Sequence, residues 1–177
     1  MKLSAPAASR VMRKLQPYMH GLSTGRLNAR LSALFRKSLV EEGTMLLRYL
    51  QDFDFQKAHP MHRLLQRDIA VEQTKHEVIV RIPVDAGTVK KLNTLVTDYY
   101  FELILLYGDV HEDHGLRTES IESDVYAIGY KQRTSCVLRM VLPEQPWIAL
   151  LKINSFENNE PSVHPKLYGL KVVAAGG

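Results

Sequence analysis

The amino-acid sequence predicts an α+β protein: an N-terminal helical hairpin followed by an antiparallel β-sandwich of immunoglobulin- or fibronectin-like kind, with about seven strands. Helical apolar spacing is confined to the first part of the chain. Short alternating segments bounded by polar, Gly or Pro residues take over from Leu64 onward. No amphipathic helix is regularly inserted between those segments, which argues against a parallel sheet with crossover helices. The chain divides accordingly into a basic helical segment at 1–48, a crossing at 49–63 and the sandwich at 64–177.

From Ser9 to His20 the apolar residues Val11, Leu15, Tyr18 and Met19, with Leu22 one step on, fall near one face of a helix, and Arg10, Arg13 and Lys14 occupy other positions. Pro17 lacks an amide hydrogen, so the regular helix is expected to kink or to end near Leu15. Gly21 is a natural terminator, and Ser23-Thr24-Gly25 forms a hinge with an N-cap for the next helix. The second helix carries Leu27, Leu31, Leu34, Phe35 and Leu39 in one stripe, with Arg26, Arg30, Arg36 and Lys37 spread over the other positions. Glu41-Glu42-Gly43-Thr44 breaks this pattern. The short linker lets the two helices pair as a hairpin whose apolar faces meet each other or dock on the sandwich.

Met45 to Leu50 fits helix or strand alike, whereas Phe53-Asp54-Phe55 alternates. Residues 56–63 read as a loop, because His59 precedes Pro60 and is pushed out of the α region. Leu64 to Val71 and His76 to Ile82 read as a hairpin, closed by Pro83. The connection at 84–97 holds a short helix around Val89 to Leu95. Tyr99 to Val110 has bulky residues on both faces, as a central strand between two layers would. Ser120 to Tyr130, Ser135 to Leu142, Trp147 to Phe156 and Leu167 to Val173 complete the strands, and Ala174 to Gly177 reads as a frayed tail.

The net charge of +4 conceals a split: residues 1–67 hold twelve Lys/Arg against four Asp/Glu, whereas residues 68–177 hold eleven against fifteen. A basic arm joined to an acidic body points to an acidic counterpart, whether nucleic acid, another protein or the acidic body of a second copy. The single cysteine, Cys136, lies in an apolar run and reads as a small buried hydrophobe, with no internal disulfide to form. The N-terminal residues lack the apolar core of a signal peptide, and no stretch approaches the ~18 uncharged residues of a membrane span. The expected location is cytoplasmic, or within a particle assembled in the cytoplasm.

Four short segments occur in a fixed order: Arg26-Leu27…Arg30-Leu31, Leu50 to Phe55, Val78 to Pro83, and Ile153 to Phe156 with Tyr168-Gly169-Leu170. In these the chain resembles small uncharacterised proteins of Bacteroidota, whose helical part carries a motif of the kind RL..RL.., followed by LL.GFDFN, V.V.IP and a closing IEF.Q..NG..Y.L hairpin. It departs from them at Gln51, which stands where they usually have glycine, and at Glu157-Asn158-Asn159-Glu160, which has none. The resemblance implies the fold and a bacterial source, and it assigns no functional residue.

The densest polar cluster runs from Asp109 to His114, but two histidines three apart on a loop match no standard zinc or calcium spacing, and a solvated turn is the expected reading. His59 and His62 flank Pro60-Met61 and are expected to be structural. No P-loop, nucleophile elbow, dinucleotide fingerprint, HExxH or paired-cysteine motif occurs, so no catalytic residue, cofactor or metal is assigned. What remains is the basic helix, with Arg26, Arg30, Arg36 and Lys37 as contacts for a partner or for phosphate. The expectation is a non-catalytic structural or protein-interaction protein, a homo-oligomer or a component of a larger bacterial or phage-like assembly. The alternative is a nucleic-acid-associated protein that binds through its N-terminal helices.

Overall fold

The computed structural model describes residues 4–90 and 96–177, so the short helix expected around Val89 to Leu95 lies largely outside the described residues. Helix α1 spans Ser4–Leu15 and buries Ala7, Ala8, Val11 and Leu15, a spacing that keeps one face turned inward. A 3₁₀ turn, Gln16–Met19, comes next with Pro17 in its first turn, where the missing amide hydrogen does no harm. Helix α2, Leu27–Glu42, buries Leu27, Leu31 and Phe35, and it ends on Gly43, whose left-handed backbone lets its N–H reach the Leu39 carbonyl. The expected N-cap side chain is not used: Arg26 itself is left-handed, and the Leu27 N–H bonds to the Thr24 carbonyl.

After a 3₁₀ turn at Leu47–Leu50, the chain forms the short helix α3, Met61–Leu64. The strands are β1 Ala70–Gln73, β2 Glu77–Val84, β3 Val96–Gly108, β4 Leu116–Glu122, β5 Tyr126–Ala127, β6 Thr134–Val141, β7 Trp147–Glu157, β8 Glu160–Pro161 and β9 Gly169–Gly176. The chain is therefore α+β, with helices first and an antiparallel, strand-rich remainder. One sheet has the order β1-β2-β6. The other runs β4-β3-β7-β8, with β5 also on β3 and β9 also on β7.

Three expectations change in the structure. The strand expected from Leu64 starts only at Ala70, because Pro60 opens α3 and the Asp54 carboxylate accepts the Met61 N–H at 2.7 Å. The strand expected at Ser120 to Tyr130 is broken at Ser123, whose backbone and side chain both bond Phe101, so β5 resumes on β3 as a separate piece. The tail is strand: Trp147 pairs Gly176 and Ile148 pairs Ala175. The glycine-free hairpin between β7 and β8 closes because Asn158 and Asn159 both take positive φ, which asparagine tolerates better than most residues.

Strand β3 is buried on both faces, as its sequence predicts, and its alternation separates two cores. Tyr99, Phe101, Leu103 and Leu105 join Val78, Val80 and Ile82 of β2 and Leu138 of β6 in one cluster to which both sheets contribute, with Cys136 buried among them. Ile104 and Leu106, with Ile148, Leu150, Leu170 and Val172, face the opposite way and join Val11, Leu15, Leu31 and Phe35 of the helices. The helices thus lie on the outer face of the larger sheet. Full burial of one such side chain is worth about 1.5–3 kcal/mol, so packing across the layers outweighs any local pair within them.

Candidate functional site

The four basic residues singled out from the sequence part company in the structure. Arg26, Arg36 and Lys37 are exposed, and Lys37 lies 3.8 Å from Glu41 one turn on. Arg30 turns inward: its guanidinium donates to the carbonyls of Asp54 and Phe55 and sits 4.5 Å from the centre of the Phe53 ring. Burial holds this group below the usual arginine value, with Asp54 opposing the shift.

The Asp109–His114 loop docks the helices. Arg10 bonds Asp113 at 2.8 Å and the Val110 carbonyl at 3.1 Å, while His111 Nε2 meets Thr44 Oγ1 at 3.0 Å. Part of the charge split is therefore spent within the chain. Among the described residues no group of three or more His, Cys, Asp or Glu is arranged to hold a metal ion.

The crossing segment has a structural task of its own. Phe53–Phe55 runs along the outer edge of β9: Phe55 N–H donates to the Leu170 carbonyl, Val172 N–H donates to the Phe53 carbonyl, both at 2.9 Å, and Asp54 bridges Lys171. Gln56, fully buried, locks it. Its Oε1 accepts the Ser23 N–H at 2.6 Å, and its amide donates to the carbonyls of Pro165 at 2.7 Å and Tyr168 at 3.0 Å. The β9 edge is closed over Leu170–Val172.

Among the described residues the β6 edge has a ladder on one side only, although the strand comes close to β3 and β4. Strand β6 pairs only with β2, over all eight of its residues, and among the described residues no other backbone–backbone hydrogen bond reaches it. Val137 and Val141 point outward with 44% and 78% of their surface exposed. β1 is short and β4 carries Arg117, Glu119 and Glu122, whereas β6 carries one outward charge, Arg139, 3.5 Å from Glu77 of β2.

A polar cleft lies where the helix-facing side of the larger sheet runs past its apolar rows. The register lines up Glu122, Glu102 and Lys152 on β4, β3 and β7, with Tyr100 opposite Asn154 in the next row. The cleft holds about 280 Å³ and is walled by Pro17 and Tyr18 of the turn after α1 and by Phe156 and Pro161 of the β7–β8 hairpin. Gly21 brings that turn close: its φ is +79°, and a Cβ there would collide with the Tyr168 ring.

Glu102, Lys152 and Asn154 are 6%, 4% and 6% exposed, yet among the described residues Lys152 has no hydrogen bond and no carboxylate within 4.0 Å. Burial pulls the Lys152 ammonium below the usual lysine value, and Glu102 and Glu122 oppose that pull. The Tyr100 hydroxyl is pushed up to about 12 by burial and by Glu122 and Glu102. Sequence reading missed this cluster. Its signal was present as single charges inside otherwise apolar strands, but only the register brings Glu102 beside Lys152.

Comparison with known protein families and with curated proteins finds no match to this chain.

Proposed function

We propose that this chain is a non-catalytic structural or protein-interaction protein that joins a larger bacterial or phage-like assembly by strand addition at β6. The observation that carries the reading is the outer side of β6, which among the described residues has no second ladder along its eight residues and carries exposed Val137 and Val141, on a sheet backed by a packed core. The rigid body is a β-sandwich of immunoglobulin- or fibronectin-like kind, a reading supported by the single apolar cluster that the two sheets share. Among the described residues no helix is long and apolar enough to cross a membrane.

The first occupant of the edge is a second copy of the chain, whose own β6 offers the same pattern of donors, acceptors and valines. Light scattering over a range of protein concentrations at low salt tests this. The mass is expected to rise with concentration in the natural chain and to stay monomeric in a Val137→Lys/Val141→Lys variant of unchanged stability. A monomeric natural chain at every concentration refutes self-assembly.

The competing reading, nucleic-acid association, is favoured by the exposure of Arg26, Arg36 and Lys37 on α2. It expects DNA or RNA binding that weakens steeply with salt and is lost when these three are changed to Gln. A flat titration at low salt removes it.

A further inference from the structure

We infer that the cleft beneath the turn after α1 binds a small zwitterion of the α-amino-acid class, its ammonium held by Glu102 and Glu122 and its carboxylate by Lys152. Lys152 is 4% exposed, lines the cleft, and has no acceptor within hydrogen-bond reach among the described residues. The Lys152 ammonium reaches the cleft and has no protein acceptor among the described residues, so a ligand that supplies one gains a charge-assisted hydrogen bond there.

The neighbouring charges decide which ligand. Two carboxylates face one ammonium, so a plain anion arriving at Lys152 meets Glu102 and Glu122 and is repelled. A plain cation satisfies the carboxylates but leaves Lys152 as it was. Only a ligand carrying both signs satisfies all three.

The spacing of the poles is set by the sheet. Glu102 and Lys152 are direct register partners on β3 and β7, and side chains so paired start about 5 Å apart. The poles of the ligand must therefore be close together, as an amino and a carboxylate on one carbon are. Asn154 sits beside them, its amide reaching Glu102 Oε2 at 3.5 Å and leaving Glu102 room for a further donor. The rings of Tyr100 and Phe156 stack with centroids 5.6 Å apart at 23°, giving an aromatic wall that suits an ammonium and the side chain beyond it. At about 280 Å³ the cleft is the size for a metabolite and too small for a dinucleotide.

Isothermal titration of the full chain with each of the standard free α-amino acids at millimolar concentration tests the assignment. At least one is expected to bind saturably, with affinity falling tenfold or more when its amino group is acetylated or its carboxylate is amidated. The same loss is expected in Lys152→Met and in Glu102→Gln. Labelling of the natural chain with an amine-reactive ester, read by mass spectrometry, gives a second readout that needs no variant: the bound amino acid should protect Lys152 and leave exposed Lys166 unchanged. The assignment is overturned if no free amino acid binds, if the acetylated and amidated forms bind equally well, or if binding leaves Lys152 unprotected.

Discussion

The two long sheet edges of this molecule are treated in opposite ways. At β9 the chain's own segment, Phe53–Phe55, is laid along the edge, pinned by Arg30 from α2 and locked by a buried Gln56. At β6 no backbone hydrogen bond among the described residues reaches the side away from β2, and the outward positions hold Ser135, Val137, Arg139 and Val141. An edge that threatened nothing would be left bare on both sides, and an edge that threatened aggregation would be covered or charged on both sides. The contrast between the two edges is what supports the proposal of strand addition at β6.

Opening the closed edge should have the largest effect. Gln56→Ala removes the partner of the Ser23 N–H and of the Pro165 carbonyl, strands the buried Tyr168 carbonyl and leaves a void where a fully buried side chain was. Urea denaturation should read a loss of about 3–5 kcal/mol. Arg30→Ala removes two hydrogen bonds to carbonyls and the contact with the Phe53 ring, for about 2 kcal/mol by the same measurement, while β6 should keep its hydrogen-exchange behaviour.

The closed edge also carries a pH dependence. Burial raises the Asp54 carboxyl above its usual value, against two backbone hydrogen bonds from Met61 and Gln56 and against Lys171 and Arg30. The folded state thus holds this proton more tightly than the unfolded state. Its contribution to stability is present at low pH and is lost as pH rises from about 4 through the raised value. In Asp54→Asn that slope should flatten, as urea denaturation over a pH series would show. The smallest effect on stability belongs to the open edge, where Val137→Lys/Val141→Lys should stay within about 0.5 kcal/mol of the natural chain.

Much of the fold was legible because it depends on short-range pattern. The alternation in β2 and β6, the bulk on both faces of β3, the end of α1 before Pro17 and the stop of α2 at Gly43 all come from neighbouring residues. The illegible part depends on pairs far apart in the chain. Nothing around Phe53 announces that it will join an edge strand at Val172, and nothing in α2 distinguishes Arg30, which turns inward, from Arg36, which does not. The polar cleft lies between these cases. Glu102 within YYFELILLY and Lys152 within WIALLKIN are visible anomalies, and strand register alone makes them neighbours.

Amide hydrogen exchange, tracked segment by segment at a low and a high protein concentration, compares the two edges in one sample. Strand addition between copies predicts that the amides of 134–141 slow as concentration rises while those of 169–176 exchange at the same rate throughout. Exchange at β6 that ignores concentration, or slows no more than at β9, contradicts the account.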